Sequence, residues 1–251
     1  MQLKKYVPLA ILCGCSLVFL SWKINNDISK ETKVENIPVE SKINSNTIHP
    51  SNTAADARLM VYDSLKLDIK GLSHEAFEYA IDGFEKLIED NVLENDSVLT
   101  IIDFDQPSYQ KRLYVIDVKN YKMLFNTLVA HGKNTGKELA ESFSNVTESN
   151  KSSLGFYITD VTYQGSKGFS LKLRGIESRL NSNAMRRAIV MHGAEYVSQS
   201  YINAQGYIGR SHGCPAVPVA LTRPLIQTIK NGSCLFIYNK AYKPSNQFLI
   251  G

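Results

Sequence analysis

The hydrophobic period of this chain changes at Ser97, and that switch limits the fold more than any other feature. Before it, Phe77, Ala80, Ile81, Phe84 and Ile88 recur at helical spacing, with Glu75, Glu78, Asp82 and Glu85 between them. Ser73 stands where an N-cap is needed, so a helix is predicted through HEAFEYAIDGFEKLIEDN. A shorter helix is expected over 54–67, ending before Gly71. Gly83 inside the main helix costs about 1 kcal/mol relative to Ala, and the periodicity outweighs it. After Ser97 the apolar runs become short and β-branched or aromatic: 98–104, 112–118, 123–130, 155–159, 170–173, 188–191 and 234–238. Residues 118–122 read as a hairpin loop. A last helix is expected over 222–230, with Pro224 in its first turn and Gly232 beyond its end. No alternation of strand and helix calls for a parallel sheet. The fold class expected is mainly β with α: one mainly antiparallel body over 53–251, with a helical N-terminal layer over 53–96.

The first 52 residues stand apart from that body. In residues 1–22, Lys4 and Lys5 precede an apolar run from Tyr6 to Trp22, the pattern of an export signal. At 17 residues the run is near the lower limit for crossing a bilayer. No small-residue cleavage site follows it. Leu12-Cys13-Gly14-Cys15 loosely matches a lipidation site, but the chain stays apolar beyond Cys15. The expectation is an uncleaved anchor, with the lysines on the cytoplasmic side and the rest outside that membrane. Residues 23–52 are polar, without aromatics or glycine, and cannot bury enough apolar surface to offset their ordering entropy. They read as a tether with a reach on the order of 30 Å.

The formal charge of +4 comes without a basic block, which removes the case for nucleic acid as a partner. Four cysteines in 251 residues are too few for a disulfide scaffold. The chemistry concentrates instead between Ile189 and Pro218. There a predicted strand ends in His192-Gly193, and the chain returns through Ser211-His212-Gly213-Cys214. A thiolate is a strong nucleophile but scarce at neutral pH. A neighbouring imidazole can take the thiol proton and later return it to a leaving amine. A third group on the other ring nitrogen fixes the tautomer. The backbone N–H groups of Gly213 and Cys214 would suit an oxyanion. The same residues also admit metal ligation by His192, His212 and Cys214, a Cys214–Cys234 disulfide, or a purely structural role for His131 and His212.

Ser211-His212-Gly213-Cys214, preceded by His192-Gly193, resembles the active-site signature of the YkuD-type L,D-transpeptidases of bacterial cell walls. Pro215-Ala216-Val217-Pro218 is similar to the branch of murein L,D-transpeptidase catalytic domain proteins. Further blocks in the same order carry the resemblance across roughly 72–238: Arg112 to Asp117, Leu124 to Thr127, Val129 to Gly132, Ser152 to Tyr157 and Gly232 to Tyr238. The resemblance implies a β-sandwich-like catalytic domain and ping-pong acyl transfer without metal or organic cofactor. Cys214 would be the nucleophile and His192 the base, with the Gly193 carbonyl orienting the imidazole. Gly213 with Cys214 would serve the oxyanion, and Ser211, His212 and Arg210 the substrate pocket. Peptidoglycan stem peptides would be donor and acceptor, giving 3→3 cross-links. The same acyl-enzyme delivered to water or a free D-amino acid would make a carboxypeptidase or exchange enzyme, and an idle cysteine a peptidoglycan-binding protein. Many relatives carry Arg or Asn two positions after the cysteine, where this chain has Ala216. Arg210, Arg174 and Arg223 are the candidates to replace it.

Overall fold

The computed structural model describes residues 54–244. The anchor 1–22 and the tether 23–52 lie outside the described residues. Helix α1 (Ala54–Ser64) leads into α2 (His74–Glu89). Ser73 caps α2 by accepting from the Ala76 N–H at 3.1 Å. The predicted apolar face is buried at Phe77, Ala80, Ile81 and Phe84. Leu87, rather than Ile88, completes it; Ile88 points outward at 36% exposure. Burying each large side chain of this face contributes about 1.5–3 kcal/mol, well above the local cost of Gly83. That glycine has its own reason: a Cβ there would lie 2.1 Å from the Phe156 ring. Arg58 of α1 pairs with Asp82 and Glu85 of α2.

Eight strands follow: β1 (Asn95–Asp103), β2 (Leu113–Asp117), β3 (Lys122–Thr127), β4 (Gly155–Gly165), β5 (Gly168–Gly175), β6 (Val190–Gly193), β7 (Ala216–Val217) and β8 (Ser233–Tyr238). They form one sheet in the order β3-β2-β1-β8-β4-β5-β6-β7. Helix α3 (Gln199–Gln205) lies between β6 and β7, and α4 (Val219–Ile229) between β7 and β8. The mainly β architecture with a few helices agrees with the expectation, and the 118–122 hairpin joins β2 to β3.

Two pairings depart from an all-antiparallel reading: β1 with β8, and β6 with β7, are parallel. A parallel pair needs a crossover rather than a tight turn, and each here is closed by a long excursion of the chain. Central β8 is buried at every residue, and the Phe156 and Phe236 rings stack at 4.2 Å across the β4–β8 pair. Helix α4 starts earlier than expected, at Val219 after Pro218, so Pro224 sits in its interior. The cost of a proline there is the missing N–H to the preceding turn, against which Leu225, Ile226 and Ile229 are buried. Helix α4 lies against β5 and β6, the strands that present His192.

Candidate active site

Strand β6 ends under α4. A Cβ on Gly193 would come within 2.2 Å of Thr222 Oγ1, so only glycine lets the strand pass there. His192 is buried at 4% exposure, and its Nδ1 lies 2.9 Å from the Gly193 carbonyl. A carbonyl only accepts, so Nδ1 carries the proton and Nε2 keeps its lone pair. Burial holds the His192 pKa below its usual value; the Gly193 carbonyl opposes this and Lys167 adds to it. The ring is therefore a neutral imidazole near neutral pH.

The cysteine sits on a turn braced from behind. Ser211 Oγ donates to the Cys214 carbonyl at 2.6 Å and accepts from the Gly213 N–H at 3.0 Å. Gly213 has φ +124, and a Cβ on it would meet the Lys151 carbonyl oxygen at 2.8 Å. The turn hangs on the segment that follows β3: Ala130 N–H donates to Ala216 O at 2.8 Å, and Ser211 N–H to His131 O at 2.9 Å. His131 is fully buried, and Arg112 donates to its Nδ1 at 2.8 Å. That leaves Nε2 to donate to Gly136 O at 3.3 Å. Arg112, itself fully buried, also donates to Val129 O and Gln106 O. His131 is thus a structural residue, and burial beside Arg112 lowers its pKa to about 3.

The parallel register places Ala216 opposite His192 and Val217 opposite Gly193. Cys214, two residues before Ala216, is thereby carried to the strand that bears the imidazole. Its Sγ accepts from the Val190 N–H at 3.5 Å and donates to Ala188 O at 3.7 Å. The His192 ring is not among these partners, so the thiol rests against the β6 backbone. Burial raises the Cys214 pKa, and the Val190 N–H, Arg187 and Lys167 pull it back only in part. The Gly213 N–H donates to Ser211 Oγ in this structure. The Cys214 N–H also favours the thiolate of its own residue.

The remaining residues fall into two groups. Arg210 is exposed and donates to Lys133 O and Gly136 O at 3.2 and 3.1 Å, bracing that loop. His212 is exposed on the turn. Ala216 is fully buried in β7 and carries no donor. Arg223 lies over the Phe169 ring at 4.4 Å, and Arg174 lines a cavity of about 310 Å³ that includes neither His192 nor Cys214. Cys214 and Cys234 are both free thiols, and Cys234 is fully buried in β8. Among the described residues no group of three or more His, Cys, Asp or Glu is placed to hold a metal ion.

Two groups that the sequence reading passed over complete the site. Arg187 and Tyr196 are both close enough to Cys214 that a thiolate there would raise their pKa values. Burial, with that thiolate adding, pushes the Tyr196 phenol up to about 12.

The family described as L,D-transpeptidase catalytic domain matches residues 68–238. No curated protein matches the chain. Among solved structures, an L,D-transpeptidase from Mycobacterium smegmatis is 13% identical with a TM-score of 0.35, covering 57% of this chain and 59% of that one. The helical cell shape determining protein Pgp2 (K307A mutant) from Campylobacter jejuni is 12% identical with a TM-score of 0.39, covering 66% and 56%. An L,D-transpeptidase from Stackebrandtia nassauensis is 15% identical with a TM-score of 0.35, covering 63% and 65%. This chain therefore spans less than two thirds of the length of these structures, and the assignment rests on the family match rather than on these distant likenesses. That match covers well over half of the 251 residues, and the chain belongs to the L,D-transpeptidase catalytic domain family.

Proposed function

We propose that the protein is a peptidoglycan L,D-transpeptidase that forms 3→3 cross-links through an acyl-enzyme on Cys214. The observation that carries this reading is the β6–β7 register, which sets the Cys214 turn beside a His192 whose Nδ1 is held by the Gly193 carbonyl. In the first step the thiol leaves Ala188 O and gives its proton to His192 Nε2. The thiolate attacks the carbonyl of the donor stem's third residue, forming the C–S bond, and the Cys214 N–H receives the oxyanion. Collapse breaks the amide bond to D-Ala, whose amine takes the proton from Nε2. A side-chain amine of a second stem then attacks the thioester and gives its proton to His192, and the thiol is regenerated.

The neutral imidazole and the raised thiol pKa support a base-assisted first step rather than a resting thiolate–imidazolium pair. The same reading keeps residues 1–22 as an envelope anchor and 23–52 as the tether that lets the periplasmic catalytic unit reach the wall. Among the described residues no helix is long and apolar enough to cross a membrane.

The test is product analysis. Full-length protein incubated with tetrapeptide-stem muropeptides is expected to yield dimers with loss of D-Ala, and the Cys214→Ala variant none. Tripeptides without dimers would shift the reading to hydrolysis. Dimers that persist in the variant would exclude the cysteine. For the anchor, the protein is expected in the membrane fraction of cells; a processed form released with the periplasmic contents would refute it.

A further inference from the structure

The nucleophile's surroundings include a guanidinium with four acceptors and no carboxylate among its hydrogen-bond partners. Arg187 Nη1 donates to Ser144 O at 2.7 Å and Ser153 Oγ at 2.5 Å. Its Nη2 donates to Lys151 O at 2.5 Å and Ser149 Oγ at 3.3 Å. All four acceptors belong to the 144–153 stretch of the long connection between β3 and β4. The Lys151 carbonyl is the atom that a Cβ on Gly213 would strike, and Nη2 itself lies 3.2 Å from that position. The guanidinium is therefore packed against the residue that precedes the nucleophile. Ser152 Oγ closes the same contact by donating to Gly213 O at 3.4 Å.

The backbone that follows Arg187 touches the thiol directly. Ala188 holds a left-handed φ of +52, and its carbonyl accepts the Cys214 S–H at 3.7 Å. The Val190 N–H points at the same sulfur. One short segment, 187–190, thus grips the loop on one side and the thiol on the other.

We propose that Arg187 is a positioning residue for the nucleophile: it clamps the 144–153 loop against Gly213 and places a fixed positive charge beside Cys214. The proposal rests on Cys214 being the nucleophile. It supplies a cation at this site where the position two after the cysteine holds only Ala216. The other charged or titratable groups coupled to the thiol are Lys167 from the β4–β5 turn and Tyr196 from the loop after β6. Arg187 and Lys167 favour the thiolate, against its burial.

The two duties separate by substitution. Lysine keeps the charge but, with one ammonium, cannot reach four acceptors at once. Glutamine removes the charge. Full-length wild type, Arg187→Lys and Arg187→Gln are reduced and alkylated with iodoacetamide from pH 6 to 10. The Cys214 peptide is read by mass spectrometry, apart from those of the other cysteines, and hydrogen exchange is followed over 144–153. Arg187→Gln is expected to slow Cys214 alkylation at pH 7.5 by about tenfold and to move its pH midpoint up, the lower end of the effect of losing one neighbouring charge. Arg187→Lys is expected to keep the rate within about threefold, with faster exchange in the loop. A folded Arg187→Gln with the native profile overturns the proposal. If the glutamine variant does not fold, the lysine variant decides: a tenfold loss overturns the charge role, and unchanged loop exchange overturns the clamp. Alkylation reads the thiol and no peptidoglycan chemistry, so a negative result here leaves the transferase reading standing. Absent cross-linking with the expected Arg187 effect removes that reading alone.

Discussion

Gly213 shows how a four-residue motif is built from backbone constraints as much as from side-chain chemistry. Its φ of +124 is outside the range that a side chain adopts comfortably, and its Cα is walled by Lys151 O, Ile189 and Arg187. Its N–H closes the turn on Ser211 Oγ, whose proton goes to the Cys214 carbonyl. The glycine is thus needed for the turn that presents the thiol. Gly213→Ala is expected to destabilise the fold by about 2 kcal/mol or more, from strained backbone plus the clash. Urea denaturation measures this; an unchanged midpoint would mean that the turn relaxes freely. His192 and Gly193 were legible as a pair in the sequence because strand-end His-Gly followed by a Ser-His-Gly-Cys turn is a compact pattern. Arg187 and Tyr196 were not, because their relation to the thiol exists only after the loop before β6 and the loop after it fold back on the same turn.

At the scale of elements, α2 and the 129–132 rail carry opposite lessons. Helix propensity alone makes Gly83→Ala a gain of about 1 kcal/mol. The Phe156 ring 2.1 Å from the new Cβ makes it a loss, since overpacking a core costs about 1–3 kcal/mol. A net loss of stability is expected in thermal unfolding, and a raised melting temperature would show that Phe156 yields. The rail was read only as the end of a long strand, 123–130. In fact β3 stops at Thr127, and Ala130 and His131 hand their hydrogen bonds to the nucleophile turn.

Buried His131 makes that rail sensitive to acid. Its folded pKa of about 3 lies below the unfolded value of 6.5. Its contribution is therefore complete above pH 6.5 and is lost as the pH falls toward 3. The loss runs at up to about 1.4 kcal/mol per unit for this one group. His192 adds to it in the same direction. Urea midpoints between pH 6.5 and 5, where ordinary carboxylates are still largely ionised, are expected to decline, and less steeply in His131→Gln. A flat profile would contradict a buried neutral His131.

For the whole molecule, all seven expected runs start within a few residues of an observed strand's start, whereas α3, beyond the change of period at Ser97, was not expected. What the period concealed was connectivity. The β1–β8 and β6–β7 parallel pairs join segments far apart in the chain, and neither periodicity nor turn residues encode such a partner. Short β7 has two residues, too few to show any pattern. Yet this pair assembles the site, which is why the motif residues could be recognised by resemblance but not placed by pattern. Acylation of Cys214 by a tetrapeptide stem is the step on which the proposed activity depends. The direct measurement is rapid-quench mass spectrometry of the reduced, full-length protein mixed with a tetrapeptide donor alone. The expected result is a tripeptide thioester located on the Cys214 peptide, with release of D-Ala and no adduct in Cys214→Ala. Release of D-Ala by the variant, or a folded and reduced native protein that forms neither adduct nor free D-Ala, would contradict it.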